Sequence, residues 1–221
     1  MIKRALFNWS GGKDSAFALG IILDKREFEI PFLFTTIDQD NRRVSMHGVH
    51  EDLMKEQSKA IGLPIRFLEM SETPDMETYE SHMTEFMNLL KEEGIRYSIF
   101  GDICLEDLRK YRENQLQKVG FEGIFPLWKR DTLTLVYDFL DQGFKSIITA
   151  VDAHKLPKEF VGEIITKELI KALPADVDPC GENGEFHSFV FDAPYFRYAL
   201  NIQKKEAVLK EYQVNNPGLS S

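Results

Sequence analysis

The sequence predicts an α/β fold built on a doubly wound, mostly parallel sheet, with a small α+β region towards the C-terminal end. Two observations carry this expectation. Between Ala5 and Leu169, short apolar runs alternate with longer stretches of helical periodicity, as repeated strand–helix–strand units do. At the first junction lies Ser10-Gly11-Gly12-Lys13-Asp14-Ser15, a glycine-rich turn from a strand into a helix. Ligands of such sheets bind beyond the carboxyl ends of the strands, so function is sought in the segments that follow them.

Ala5 to Trp9 reads as a buried first strand. Ala16 to Leu23 is apolar, free of proline and runs into Asp24-Lys25-Arg26-Glu27, as a packed helix does. Ile30 to Ile37 is the second strand, Val49 to Ile61 a helix and Pro64 to Met70 a strand. Met76, Tyr79, Met83, Phe86, Met87 and Leu90 recur at helical spacing, a core stripe rather than a cofactor contact. Tyr97 to Phe100 is a strand, Cys104 to Val119 a helix, Gly123 to Phe125 a strand and Leu133 to Leu140 a helix. Ser146 to Val151 is a sixth strand, and Val161, Ile164, Ile165 and Leu169 mark one more helix. Beyond about residue 175 the pattern changes. Phe186 to Asp192 alternates like a strand, with Tyr195 to Ile202 and Ala207 to Val214 as further candidate strands. Residues 215–221 read as a frayed tail. The expected organisation is a first domain over 1–150, a smaller region over 151–214 and the tail.

Composition excludes several classes. A chain of 221 residues with 43% hydrophobic content suits an ordinary globular core. A net charge of −9 argues against a broad nucleic-acid or anionic-membrane surface. No run long enough to span a bilayer is present, and Met1-Ile2-Lys3-Arg4 leads into only a few apolar residues, so neither a signal peptide nor a membrane span is expected. Cys104 and Cys180, the only cysteines, suit a reducing compartment, and a cytoplasmic location follows as the expectation.

The first turn carries the most chemistry. Gly11 and Gly12 let the backbone approach a ligand with no Cβ in the way. The first N–H groups of the following helix and its dipole favour an anion at the same spot. Lys13 adds a positive charge, and Ser10 and Ser15 add hydroxyl donors. The ligand this suits is a phosphate chain. The spacing fits neither a Walker A loop nor the three-glycine dinucleotide fingerprint. The hexapeptide resembles, residue for residue, the S-G-G-K-D-S signature of the PP-loop ATP pyrophosphatases. That superfamily holds ATP by its β- and γ-phosphates and cleaves between α and β.

The second unusual stretch runs from Asp178 to Pro194, with Gly181-Glu182-Asn183-Gly184-Glu185-Phe186-His187-Ser188 at its centre. Read bare, it is either an exposed acidic hairpin or a cluster that binds Mg²⁺, orients a nucleophile or accepts protons. It resembles the G-E-[NG]-G-E-[FY]-x-[TS]-x-V-x-D-x-P signature of the diphthine–ammonia ligase family, a branch of the PP-loop superfamily. Gly101-Asp102 with Glu106-Asp107 and Arg109 to Arg112, and Phe125-Pro126-Leu127-Trp128, are similar to further segments of that family. One departure is Phe186-His187-Ser188, where diphthamide-making members usually carry a Tyr-Glu-Thr type of sequence.

The resemblance implies a Rossmann-like, adenine nucleotide alpha hydrolase-like domain, followed by a smaller region bearing the second signature. It implies ATP and Mg²⁺ as cofactors, with AMP formed on a carboxylate-bearing acceptor (in the family, a modified histidine of an elongation factor) that is then coupled to ammonia. Ser10, Gly11, Gly12, Lys13, Asp14 and Ser15 would hold the pyrophosphate end of ATP, with Thr36, Gly101 and Asp102 lining the nucleotide site. Glu182, Asn183, Gly184, Glu185 and Asp192 would lie at the acceptor end. Asp14 suits Mg²⁺ or a water bound to it; otherwise it is a first-turn acid favouring the helix dipole. Glu185 and His187 are the candidate proton acceptors from ammonium, with only one of them expected to face the site. No glutaminase apparatus is visible, so free ammonia or ammonia from a partner is the expected donor. Arg109 and Arg112 either contact phosphate or the acidic acceptor, or pair with Glu106 and Glu113 on the surface. Trp128 either walls the pocket or packs. His47 and His50 suit a loop at the nucleotide site or a helix start better than a metal. A homodimer is compatible with the sequence. Two other functions remain open: a nucleotide sensor without turnover, and a tRNA-modifying PP-loop enzyme, which the acidity and the lack of a Cys pair disfavour.

Overall fold

The computed structural model describes residues 2–44, 48–71, 75–204, 208 and 209. Strands β1 (Lys3–Asn8), β3 (Leu33–Asp38), β4 (Ile65–Met70), β5 (Tyr97–Ile99) and β6 (Glu122–Ile124) lie parallel in the order β4-β3-β1-β5-β6. The short β2 (Phe28–Glu29) also pairs with the start of β1. The single strand expected over Ile30–Ile37 begins only at Leu33 of β3, with β2 as a separate two-residue strand before it. The break falls at Pro31, whose missing N–H cannot join a ladder.

The helices are α1 (Lys13–Lys25), α2 (Glu51–Ile61), α3 (Met76–Glu92), α4 (Glu106–Lys118), α5 (Thr132–Asp141) and α6 (Lys167–Ala172). Alternation along the strands separates two apolar layers. Ala5, Phe7, Leu33, Ile37 and Ile99 face a core shared with Phe17 and Leu19 of α1 and Met54 and Ala60 of α2. Leu6 and Phe34 face the opposite core with Met87 and Leu90 of α3 and Leu116 of α4. The sheet is therefore covered on both faces, as the apolar runs of its strands require. The chain leaves β1 towards β3 on one side and resumes at β5 on the other. The gap between the carboxyl ends of β1 and β5 is thus the topological switch point, where open sheets of this kind bind ligands. Among the described residues no helix is long and apolar enough to cross a membrane.

Most helices start on a side-chain cap: Asp75 accepts from the Thr78 N–H, Asp131 from Thr134, and Thr166 from Leu169. α1 and α4 differ, because their N-cap residues, Gly12 and Leu105, make no side-chain cap hydrogen bond.

Three sequence expectations are corrected towards the C-terminal end. β7 (Lys145–Val151) does not extend the parallel sheet; it pairs antiparallel with β8 (Phe186–Asp192) in a sheet of its own. The helix expected across Val161 to Leu169 is only α6. Gly162 turns the chain at φ +83°, and Ile164 and Ile165 run extended along β7, with the Ile165 N–H donating to the Ser146 carbonyl at 2.9 Å. Tyr195 to Ile202 forms no strand. It lies as an irregular strap on α1 and α2, with the Tyr195 hydroxyl donating to the Ala16 carbonyl at 2.8 Å and the Arg197 N–H to Ala60 at 2.7 Å. Ala207 to Val214 and the tail lie outside the described residues, save Val208 and Leu209.

The junction between the two sheets is aromatic. Phe17 of α1 meets Phe139 of α5 and Phe144 edge-on, at centroid distances of 6.1 and 5.6 Å. Phe17→Ala removes both contacts from a buried position and is expected to cost about 3–5 kcal/mol, read as a lowered urea midpoint. A loss below about 1 kcal/mol would mean that this junction collapses around the hole or contributes little.

Candidate active site

The turn after β1 is preformed. Gly11 is left-handed at φ +78°, and a Cβ there would lie 2.8 Å from Oε1 of Gln57 and 3.0 Å from Sδ of Met54. The Ser10 hydroxyl donates to Oγ of Ser15 at 3.0 Å, the Ser15 hydroxyl is 3.0 Å from the Gly12 carbonyl, and the Gly12 N–H donates back to Oγ of Ser10 at 3.3 Å. Across the switch point, Gly101 follows β5 and presses on the first turn of α1. A Cβ on it would lie 2.8 Å from the Ser15 nitrogen and 2.9 Å from the Asp14 carbonyl carbon. Glycine at this position is what lets the two segments close on one another.

Lys13 is only 2% exposed. Its Nζ donates to both carboxylate oxygens of Asp14 at 2.8 Å and to the Cys180 carbonyl, while its backbone N–H donates to Oγ of Ser188 at 3.1 Å. Burial acts to lower the lysine pKa, yet Asp14 and the other negative neighbours outweigh it and hold the pKa above its ordinary value. Lys13 is therefore a fixed cation. Asp14, at 29% side-chain exposure, keeps a face towards solvent.

Two further carboxylates share this crevice. Burial pushes the Asp102 pKa up, with Asp14 adding to the rise and Arg112, 2.8 Å away, opposing it. Burial, then Asp14, likewise push Glu182 up, although its Oε1 accepts from the N–H groups of Ile103 and Cys104, both at 3.2 Å. Among the described residues no group of three His, Cys, Asp or Glu side chains is arranged to hold a metal ion by itself. A shallow hollow of about 550 Å³ lined by Glu77, Glu80 and Leu89 runs along α3 and shares no residue with this crevice.

The second signature folds onto the first. Asp178 Oδ1 accepts from the N–H groups of Cys180 (2.7 Å) and Glu182 (3.3 Å), and its Oδ2 accepts from the Thr132 hydroxyl (2.8 Å). Glu185 is fully buried. Its oxygens accept from the N–H of Asp178 (3.1 Å), the N–H of Asn183 (2.9 Å) and Nδ2 of Asn183 (3.1 Å), with Nζ of Lys155 at 3.7 Å. Burial raises its pKa, but these donors outweigh it and hold the carboxyl below its ordinary value. Gly184 completes the turn at φ +80°. β8 then runs past the glycine turn, and the Val190 N–H donates to the Gly11 carbonyl at 2.9 Å.

Strand alternation does not separate Glu185 from His187, because residues two apart share a face. What separates them is that Glu185 precedes β8 and is enclosed in the turn, whereas His187 lies on β8 within electrostatic reach of Lys13 and Asp14. Burial, then Lys13, lower the His187 pKa, so its ring is neutral at neutral pH.

Other candidates stand apart. Asp192, at the far end of β8, pairs with Lys145 at 2.9 Å. Arg109 pairs with Glu113 at 2.7 Å, with its guanidinium 4.7 Å from the Phe125 ring and 4.6 Å from that of Trp128. Trp128 is packed on that arginine. Arg112 pairs with Asp102 rather than Glu106, which meets Lys129 at 3.1 Å. Thr36 sits on β3 opposite Leu68. His50 caps α2 by accepting from the Asp52 N–H, and His47 lies outside the described residues. Gln57 and Ser188, which touch the glycine turn directly, are not singled out by the sequence. The legible signal for Gln57 is a polar residue within the apolar stripe Met54, Gln57, Ile61 of α2.

A family model described as the diphthamide synthase N-terminal domain matches residues 3–123, and one described as the diphthamide synthase C-terminal domain matches 131–216. The chain is 28% identical over 133 residues to a mouse (Mus musculus) protein named diphthine–ammonia ligase, covering 57% of this chain and 49% of that one. It is 29% identical over 100 residues to the Schizosaccharomyces pombe protein of that name, covering 43% of this chain and 16% of that one. The matches thus span about half or less of those relatives. Among solved structures, a predicted subunit of tRNA methyltransferase from Methanocaldococcus jannaschii superposes with a TM-score of 0.47 at 15% identity, over 87% of this chain and 98% of that one.

Glu185 makes the turn pH-sensitive. Its folded pKa lies below the ordinary 4.5, so its contribution is complete above that value and is lost as pH falls through the folded pKa. Asp102 and Glu182 have the opposite sign, since protonation relieves their burial. Glu185→Gln is expected to lose about 1.5–3 kcal/mol at neutral pH, the worth of a charge-assisted hydrogen bond. It is also expected to flatten the acid limb of stability against pH. Unchanged stability with the wild-type acid limb would show that the buried carboxylate does not hold the turn.

Proposed function

The chain belongs to the diphthamide synthase family, and on that premise we propose that it is an ATP-dependent ligase that joins an acceptor carboxylate to ammonia, releasing AMP and pyrophosphate. The observation that carries this reading is that residues 178–192 fold directly onto the glycine turn. Lys13 touches Asp14, Cys180 and Ser188 together, which supports one shared crevice for the phosphate chain and the acceptor.

In this reading Ser10, Gly11, Gly12 and Ser15 present the start of α1 to the β- and γ-phosphates of ATP, and Lys13 neutralises the departing pyrophosphate. An acceptor carboxylate oxygen attacks the α-phosphorus in line, and the bond from phosphorus to the α–β bridging oxygen breaks. Ammonia nitrogen then attacks the activated acyl carbon, AMP leaves with the acyl oxygen, and the amide remains. His187, whose pKa burial and Lys13 lower, accepts the proton that the nitrogen sheds. Glu185 holds the turn that presents Glu182, Asn183 and Gly184 to the acceptor. The carboxylate suited to Mg²⁺ is Asp14, which is partly exposed beside the phosphate turn and would hold the ion there. When bound, the ion supplies charge neutralisation on the pyrophosphate. The acceptor is proposed to be a carboxylate of the diphthine class, as the names of the curated relatives suggest.

The test is incubation of the pure protein with Mg²⁺ and ATP labelled at the α-phosphate, with ammonium and cell extract added or withheld. AMP that appears only with extract, and falls about 10²–10³-fold in Lys13→Ala, is the expected result. Full turnover in Lys13→Ala would remove the lysine from the mechanism, and ADP in place of AMP would reject α–β cleavage. Bound ATP with no AMP under any condition would favour a nucleotide sensor. His187→Ala is expected to spare ATP binding and slow ammonia-dependent amide formation by about 10²–10⁴-fold. Equal rates with and without the imidazole would remove it as the base.

A further inference from the structure

Gln57 of α2 is fully buried, and its carboxamide meets three chain segments at once. Its Nε2 donates to the Gly11 carbonyl at 3.0 Å and to the Val190 carbonyl at 2.7 Å, and its Oε1 accepts from Nε1 of Trp9 at 2.9 Å. The Gly11 carbonyl also receives the Val190 N–H at 2.9 Å. One primary amide therefore closes a ring of hydrogen bonds between the end of β1, the glycine turn and β8. A buried carboxamide is tolerated when its donors and acceptor are used, as they are here. A carboxamide also offers two donors on one planar nitrogen beside an acceptor, which is what two carbonyls and an indole N–H demand.

Resting on the ligase reading above, we propose that Gln57 is a positioning residue that sets the acceptor strand β8 against the phosphate turn. With Val190 held on Gly11, the hydroxyl of Ser188 is delivered to the Lys13 N–H, the Cys180 carbonyl reaches Lys13 Nζ, and His187, next to Ser188 on β8, stays within electrostatic reach of Lys13 and Asp14. Gln57 thus acts on the reacting groups through β8 and touches no substrate. Gln57 meets the turn only at the Gly11 carbonyl, which also holds the Val190 N–H, while Ser10, Gly12 and Ser15 brace the turn through bonds of their own. Loss of the carboxamide is therefore felt in the chemical step and not in nucleotide affinity.

The test uses the full chain as Gln57→Met, which keeps the length and removes every polar contact, and as Gln57→Glu. The latter keeps an oxygen for Trp9 but sets a carboxylate against two carbonyls. Amide hydrogen exchange by NMR is read at Val190 and Lys13, with the β3–β4 ladder as internal reference. The affinity for Mg²⁺–ATP and the rate of AMP formation from α-labelled ATP in extract are measured on the same samples. Expected are faster exchange at Val190 and Lys13 alone, ATP affinity within about threefold of wild type, and AMP formation slowed about 10²-fold, the scale of a 1 Å misplacement. Wild-type exchange at Val190 and Lys13 would overturn the proposal. So would faster exchange throughout the β3–β4 ladder, or equal losses in affinity and rate, which mark an ordinary structural residue. If the wild type forms no AMP, the ligase reading falls. Exchange and ATP affinity then still decide whether Gln57 sets β8 independently of the turn.

Discussion

An ammonium group kept out of water is the constraint on which this structure turns. Lys13 is 2% exposed, and a buried charge is tolerable only where partners replace its hydration. Asp14, one residue along, supplies the counter-charge, but a neighbour on the first turn cannot saturate three N–H donors. The third partner is the carbonyl of Cys180, far along the chain. For that carbonyl to arrive, the 178–185 turn must be rigid, and Glu185 and Asp178 make it so by accepting the N–H groups of the turn. The second signature is thus in part the first signature's solvation shell.

The same demand explains why β7 leaves the parallel sheet. A strand added beyond β6 would lie far from the β1–β5 switch point. Paired with β8 instead, it backs the strand that reaches Gly11 and Lys13, while Phe17, Phe139 and Phe144 fill the space behind it. The small sheet is placed by the site as much as by the core.

How much of this was legible in the sequence follows from the range of each cause. The glycine turn, the parallel strands β1, β3, β4, β5 and β6, and the Met83, Phe86, Met87 and Leu90 part of the α3 stripe are local patterns and are legible in the sequence. A period of two does not reveal which partner a strand chooses, so β7 was readable as a strand and not as a member of a second sheet. The helix across Val161 to Leu169 failed because four apolar residues at suitable spacing outweighed Gly162, whose positive φ breaks the helix. Grouping the acidic residues of 178–192 as one cluster concealed their different situations. Glu185 is enclosed by N–H donors, Glu182 is drawn to the amides after β5, and Asp192 pairs with Lys145. These assignments depend on chain crossings more than 40 residues apart in sequence for Glu182 and Asp192, and sequence spacing cannot supply them.

The resting charges also constrain how an anion enters. The three N–H donors of Lys13 are engaged by Asp14 and Cys180, so a phosphate oxygen that takes one must displace a partner; its binding is an exchange. Asp102 and Glu182, both already pushed up by burial with Asp14 adding to the rise, would be pushed further by a bare polyphosphate. On the proposed function, Asp14 would hold a divalent cation that accompanies the phosphate chain, and the positive charge of that cation would oppose this rise. On the proposed function, the clustered carboxylates that look unfavourable for an ATP site would favour the metal complex over the free nucleotide.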